Sequence, residues 1–405
     1  MEGDFIKIDK KLLPLSWLYG LGVGFRNLLF EMNILKSRSF SIPVISVGNI
    51  TVGGTGKTPH VEYLIRLLKK HLHVAVLSRG YKRKTKGFLL ATKDTPMQDI
   101  GDEPYQMKQK FKEIDVAVDS KRTRGIDNIT SGAYTDKAAD VILLDDAFQH
   151  RYVKPGLSIL LVDYHRQVIY DRLLPAGRLR EPVRCKDRAD IVIITKCPKT
   201  LTPMEFRVLT KQMDLFPYQQ LYFTTLDYDD LRPLFPKEAN VNVDNLESLK
   251  GKNVFLLTGI ASPTQLIVDL EPFAESIHPL SFSDHHNFKK KDIRRINEEF
   301  ASLESPKVIV TTEKDATRLQ DLEGLSDEVR KCLYVLPVKV SFMLEGEVSF
   351  NEKIIGYVLK NSRNSILAKG KDDHKSENSD STGNRPRTIS FRNNGQDRVS
   401  LSGNS

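Results

Sequence analysis

The stretch Gly53-Gly54-Thr55-Gly56-Lys57-Thr58-Pro59 combines glycines, a lysine and hydroxyl residues at a spacing suited to holding a polyphosphate. Glycines let backbone N–H groups approach phosphate oxygens, and the start of a helix adds the positive end of its dipole. In such a loop Lys57 reaches the outer phosphates and Thr58 holds a magnesium ion, while Thr51, Val52, Gly53, Gly54, Thr55 and Gly56 form the backbone cradle. The apolar run Ile42-Pro43-Val44-Ile45-Ser46-Val47 comes before it, and Val61, Leu64, Ile65, Leu67 and Leu68 follow at helical spacing. Strand, loop and helix therefore occur in the required order. The generic pattern wants glycine five residues before Gly56. This chain has Thr51 there, with Gly48, Gly53 and Gly54 to supply the turn freedom.

Two acidic pairs accompany the loop. Asp145-Asp146 closes the apolar run Val141–Leu144, where a carboxylate beside a phosphate loop holds magnesium directly or through water; Gln149 and His150 follow closely. Gly101-Asp102-Glu103-Pro104 reads alone as a capped helix start, since proline and acids both suit the first turn. Next to the loop and Asp145-Asp146 it becomes a second candidate acidic site. Leu173–Pro182 mixes apolar residues with Arg178, Arg180 and Glu181, as would suit a phosphate attached to a greasy molecule. Asp284-His285-His286 is a later cluster whose histidine pair has no third ligand at zinc spacing, and Thr312-Glu313-Lys314-Asp315 ends a strand with charges.

Val74–Ser78, Val116–Val118, Val141–Leu144, Ser158–Val162 and Ile191–Thr195 are near-continuous apolar runs separated by helical patterns. They predict an α/β fold of P-loop type, a mostly parallel sheet with helices on both faces, whose ligands lie beyond the strand C-termini. A second series begins at Val254–Thr258 and includes Val308–Thr311. The expected organisation is an N-terminal interfacial segment (1–35), a phosphate-loop core (36–215), a smaller α/β domain with linker strands (216–360) and a disordered tail (361–405). The tail has few large apolar residues and cannot bury enough surface to offset ordering.

The 405 residues are 40% hydrophobic and 28% charged, ordinary for a globular protein. Three scattered cysteines argue against a disulfide framework. The formal charge of +9 favours anionic partners, yet no RNA-recognition or zinc-finger pattern points to nucleic acid. The uncharged run Leu12–Phe25 is shorter than the roughly 20 residues of a membrane span. Trp17, Tyr19 and the flanking Lys7, Lys10, Lys11, Arg26 and Lys36 suit an interfacial segment on anionic lipid. A helix packed on the core is the competing reading.

Val47–Pro59, Ser78-Arg79-Gly80-Tyr81, Gly101–Pro104, Asp145–His150, Leu173–Pro182, Asp284-His285 and Thr312–Asp315 together resemble the tetraacyldisaccharide 4'-kinase family, in order and spacing, across residues ~10–340. Thr51 is what that family has, whereas Ala147 replaces its usual glycine. The resemblance implies an ATP-dependent lipid kinase of the lipid A pathway, acting on the 4'-hydroxyl of a tetraacyldisaccharide 1-phosphate at the cytoplasmic face of the bacterial inner membrane. It implies a glycolipid substrate, peripheral or monotopic membrane association and no nucleic acid. The family pattern suggests Asp102 as base assisted by His285, with Lys57 catalytic. It gives Thr58, Asp145 and Glu103 to Mg²⁺, and Tyr81, Arg122, Asp146, Gln149, His150, Arg180 and Glu181 to the substrate side.

Two other readings compete. A P-loop GTPase of metallocentre assembly would need a guanine-reading Asn-Lys-x-Asp, and Ile194-Thr195-Lys196-Cys197 lacks both the Asn and the Asp. A membrane-associated nucleotide-binding scaffold would not need Asp102 or His285.

Overall fold

The computed structural model describes residues 8–373, apart from 136, 240–242, 261–262, 284–285, 287 and 321. Every apolar run singled out above forms a strand. In chain order these are β1 (Val44–Gly48), β2 (Val74–Ser78), β3 (Leu89–Leu90), β4 (Asp115–Val118), β5 (Val141–Asp145), β6 (Leu157–Asp163), β7 (Ile191–Thr195) and β8 (Gln220–Tyr228). Then come β9 (Arg232–Pro233), β10 (Asn253–Thr258), β11 (Ser276–Ser281), β12 (Lys307–Thr312), β13 (Leu333–Leu336) and β14 (Val338–Phe342). The helices are α1 (Leu13–Glu31), α2 (Lys57–Leu68), α3 (Met97–Ile100), α4 (Asp102–Lys110), α5 (Arg122–Thr130) and α6 (Pro203–Met213). After them come α7 (Thr264–Leu270), α8 (Lys290–Ala301), α9 (Glu313–Leu319), α10 (Asp327–Cys332) and α11 (Gly346–Asp373).

The larger sheet has the order β14-β8-β7-β6-β1-β5-β2-β4-β3. All its pairings are parallel except the outermost ones, β14 on β8 and β3 on β4. β1 lies in the middle, between β5 and β6, so the loop after it opens beside the end of β5. One face is covered by α2, α4 and α11, through residues such as Val61, Ile65, Met107, Phe350 and Ile354. Ile126 and Ile129 of α5 help to cover the other. The smaller sheet, β11-β10-β12-β13-β9, is parallel except for β9.

The expected border between the two sheets needs correcting. β8 and β14 extend the larger sheet, although both lie inside the 216–360 stretch assigned to the smaller domain. Parallel pairing of Val192 with Leu221 and Ile194 with Phe223 continues the ladder, and antiparallel β14 then covers that edge. The chain thus leaves the larger sheet after β8, builds the smaller one, and returns at β14. The tail border at 361 also falls inside a helix, since α11 continues to Asp373.

Tyr357 of α11 ties the returning chain to the sheet centre. Its hydroxyl accepts from the Val44 amide at 3.1 Å and donates to the Val44 carbonyl at 3.2 Å. A Cβ at Gly156 would lie 2.2 Å from the Tyr357 hydroxyl oxygen. Gly156→Ala is therefore expected to cost about 1–3 kcal/mol as an overpacking substitution. A thermal-unfolding midpoint equal to that of the wild type would contradict this docking of α11.

Candidate active site

The loop between β1 and α2 has the build of an anion cradle. Gly53 and Gly56 have φ of 121° and 77°, conformations that a side chain strongly disfavours. No side chain caps the start of α2, so its first amides remain available to an anion. Behind the loop, three successive carbonyls are each held by a side chain. Lys196 Nζ donates to Gly54 O, Thr195 Oγ1 donates to Thr55 O at 3.1 Å, and His60 Nδ1 lies 2.7 Å from Gly56 O. Thr55 N donates to Gly53 O at 3.1 Å, while tying back the Thr55 carbonyl turns the Gly56 N–H of the same peptide toward the ligand side.

A carbonyl can only accept, so His60 Nδ1 carries the proton and Nε2 accepts from Thr224 Oγ1 at 3.0 Å. Burial lowers the His60 pKa to about 4, which keeps the ring neutral and this tautomer fixed at working pH. His60→Leu keeps an apolar body but removes the side-chain bond to the Gly56 carbonyl, leaving it the residue 60 amide at 3.3 Å. Loss of one hydrogen bond, about 1 kcal/mol, should weaken ATP binding roughly five- to tenfold. Calorimetric titration giving an unchanged Kd would show that the loop keeps its shape without this brace. Nothing in the sequence pattern marked His60 or Thr195 as loop supports. Lys196 showed only as part of the incomplete guanine-reading pattern.

Asp145 ends β5, in register with Val47 of β1, and is 4% exposed. It accepts a hydrogen bond from Ser78 Oγ at 3.1 Å. Burial first, then the charges of Glu103 and Asp146, raise its pKa to about 7 against the pull of Lys57. Asp146, in the left-handed region at φ 46°, pairs with Lys57 at 3.7 Å and with Arg180 at 3.1 Å. Burial works to raise its pKa, but Lys57, Arg180 and Arg122 outweigh that and hold it below the usual carboxylate range. Asp102 and Glu103 form the first turn of α4. Crowded acids of this kind are relieved by a divalent cation, so the group fits Mg²⁺. Among the described residues no three His, Cys, Asp or Glu side chains form a complete metal cage. Magnesium commonly takes one or two carboxylates and completes its shell with phosphates and water.

The arginine-bearing loop is one wall of the cradle. Val52 N donates to Arg178 O at 2.8 Å, Arg180 N donates to Ile50 O at 2.7 Å, and Thr51 bridges Leu179. Arg180 also donates to the Asn49 side-chain oxygen. Gln149 reaches the Asn49 carbonyl, and Tyr81 is 57% exposed beside a cavity of about 450 Å³ lined by Arg79, Lys82, Arg83 and Lys86. Burial, helped by Arg122, Arg26 and Arg79, lowers the His150 pKa to about 4.

Two residues expected on the substrate side are internal braces in this structure. Arg122 is buried and donates to the Asp119 and Asp145 carbonyls at 3.0 and 3.1 Å, with burial lowering its pKa to about 10. Glu181 is buried and accepts from Arg188 at 2.6 Å. His285 lies outside the described residues.

Helix α1 packs on this same wall with its polar side. Ser16 Oγ donates to Leu173 O at 2.8 Å, Tyr19 OH donates to Arg180 O at 2.9 Å, and Asn27 and Ser16 are buried. Its apolar side faces outward: Trp17, Leu18, Leu21 and Phe25 are 63% to 70% exposed. Among the described residues no helix is long and apolar enough to cross a membrane.

The smaller sheet contributes α9, whose first residues follow β12. Thr312 caps it by accepting from the Asp315 amide. Three ion pairs join α9 to α4: Arg318 to Asp102, Lys314 to Glu103 at 3.9 Å, and Glu313 to Lys110 at 2.6 Å.

Residues 8–358 match the family model described as tetraacyldisaccharide-1-P 4'-kinase, LpxK. A tetraacyldisaccharide 4'-kinase of Phocaeicola vulgatus is 57% identical over 366 residues, covering 90% of this chain and 99% of that protein. One of Flavobacterium johnsoniae is 42% identical over 354 residues, covering 87% and 98%. The crystal structure of LpxK from Aquifex aeolicus in complex with ATP superposes with a TM-score of 0.63 at 29% identity, covering 86% of this chain and 98% of that one. With its phosphate loop, acidic cluster and two-sheet fold in place, the chain belongs to the tetraacyldisaccharide-1-P 4'-kinase family.

Proposed function

We propose that this kinase transfers the γ-phosphate of ATP to the 4'-hydroxyl of a tetraacyldisaccharide 1-phosphate held at a membrane surface. One observation carries the reading: the loop that walls the phosphate cradle is also the seat of a helix whose outward face is apolar. A triphosphate and an amphiphilic sugar can thereby meet in one place. A guanine nucleotide is disfavoured, because Thr195-Lys196-Cys197-Pro198 lacks the Asn and Asp that would read the base.

Lys57 binds the outer phosphates, and the loop of residues 51–58 surrounds them. Thr58, Asp145 and Glu103 would hold Mg²⁺, which would supply positive charge to offset that of the phosphates. Asp102 takes the proton of the sugar hydroxyl as it attacks, and His285 orients that carboxylate. Arg180 and Asp146 fix the edge of the cradle nearest α1, while Tyr81, Gln149 and His150 contact the acceptor. Arg122 and Glu181 act from beneath, through the Asp145 backbone and Arg188. The test is incubation of purified protein with radiolabelled ATP and a panel of glycolipids, with and without Mg²⁺. Label on the acylated disaccharide only with Mg²⁺ supports the assignment, and label on none of the panel rejects it.

The exposed face of α1, with Lys10 and Lys11 at its start, suits the interface of an anionic membrane at the cytoplasmic side of the inner membrane. Deleting the helix would also unseat the Leu173–Pro182 wall, so point changes are the cleaner probe. Trp17→Glu with Leu21→Glu should release the protein from vesicles containing anionic phospholipid while ATP affinity stays the same. Unchanged co-sedimentation would refute the membrane role.

A further inference from the structure

We infer that Arg318 is a positioning residue that sets Asp102 in place from the smaller lobe, so the carboxylate is aligned only while α9 rests on α4. The inference depends on the kinase reading for the role of Asp102, though not for the geometry. Arg318 lies 216 residues beyond Asp102, yet its Nη2 donates to the Asp102 carboxylate. Its side chain is 4% exposed, so this is no solvated surface pair of negligible effect. Losing Arg318 would take a nearly inaccessible cation away from the Asp102 carboxylate and change the charge and hydrogen bonding that place it.

Arg318 is itself held from behind. Its Nη1 lies 3.5 Å from Asp315 Oδ1 on the same helix. Asp315 is fully buried and accepts from the Gly259 amide at 2.9 Å and from Thr312 Oγ1 at 2.7 Å. These contacts fasten the Asp315 carboxylate to the C-terminal ends of β10 and β12, and the guanidinium lies beside it at ion-pair distance. Lys110 extends the connection, pairing with Glu313 of α9 and with Glu62 of α2, both at 2.6 Å. Helix α2 begins at Lys57, so the phosphate loop, the Asp102 helix and the smaller lobe are joined by charge pairs in one line.

The test compares Arg318→Met and Arg318→Lys with the wild type in the presence of ATP and Mg²⁺. In Arg318→Met, amide hydrogen exchange across residues 102–110 should rise about tenfold, a local loosening of α4. The kcat for the disaccharide should fall about 100-fold, the scale of a reacting group misplaced by roughly 1 Å, with ATP affinity within about threefold of wild type. Arg318→Lys should restore most of both. If Arg318→Met does not fold, Arg318→Gln, which keeps a polar group there, is read in its place. Wild-type exchange in α4, kcat within about threefold, or a Lys variant no better than Met would each overturn the inference. If the wild type does not phosphorylate the disaccharide, the acceptor assignment falls, and the exchange measurement still decides the role of Arg318.

Discussion

Asp102→Asn is expected to lower kcat by about 10²- to 10⁴-fold, the range for loss of a general base, with ATP binding within about threefold of wild type. Asparagine is the informative replacement, since alanine would also strip the nearly buried Arg318 of a partner and confuse catalysis with folding. The amide keeps the shape and can still accept one hydrogen bond, but it cannot take a proton from a sugar hydroxyl. Measuring kcat and ATP affinity separately distinguishes the two roles. Turnover retained within about threefold would remove Asp102 from the chemistry and leave it as a structural partner of α9.

Asp145→Asn should abolish most turnover and yet stabilise the nucleotide-free protein at neutral and higher pH. The folded state raises the Asp145 pKa from 3.8 to about 7, chiefly through burial and then through Glu103 and Asp146. The folded chain therefore holds this proton more tightly than the unfolded one. Its contribution to stability is fully present below about pH 4 and is lost as pH rises to about 7. Above that range the ionised carboxylate costs the empty site on the order of 2–4 kcal/mol, by the usual conversion of a pKa shift. Asparagine removes that cost. Thermal midpoints taken from pH 5 to pH 8 should diverge, with the variant falling less steeply than the wild type. The same ionisation makes Mg²⁺ binding stronger as pH rises through about 7. Parallel midpoint curves for the two proteins would contradict this account of the acidic cluster.

The centre of the site was legible in the sequence because its determinants are local. Gly53 and Gly56 encode their own backbone conformation, Asp145 closes an unbroken apolar run, and both lie within a few residues of the strands that place them. What escaped depends on long-range pairing. The 220–228 segment mixes polar and apolar residues, as an edge strand does, and its sequence does not say which of two sheets it joins. β14 and α11 return to the larger sheet only because β8 offers an open edge and Tyr357 finds the Val44 backbone. The charge-rich region after residue 361 hid the continuation of α11 to Asp373. His60 reads as an ordinary polar residue of an amphipathic helix, and its role appears once Thr224 of β8 is placed behind it. Arg318 lies three residues beyond Thr312–Asp315, the cluster the sequence did mark as charged, and its pairing with Asp102 needs both sheets to be in place. Helix α1 was readable as apolar. That its polar side fastens it to the arginine loop, leaving the apolar side outward, was not.

The most direct test is a crystal structure with a non-hydrolysable ATP analogue, Mg²⁺ and the tetraacyldisaccharide 1-phosphate. The account predicts the γ-phosphate against Lys57, the 4'-hydroxyl between that phosphate and Asp102, and the acyl chains leaving along the outward face of α1. A nucleotide bound away from Lys57, or a sugar whose 4'-hydroxyl does not face the γ-phosphate, would contradict it.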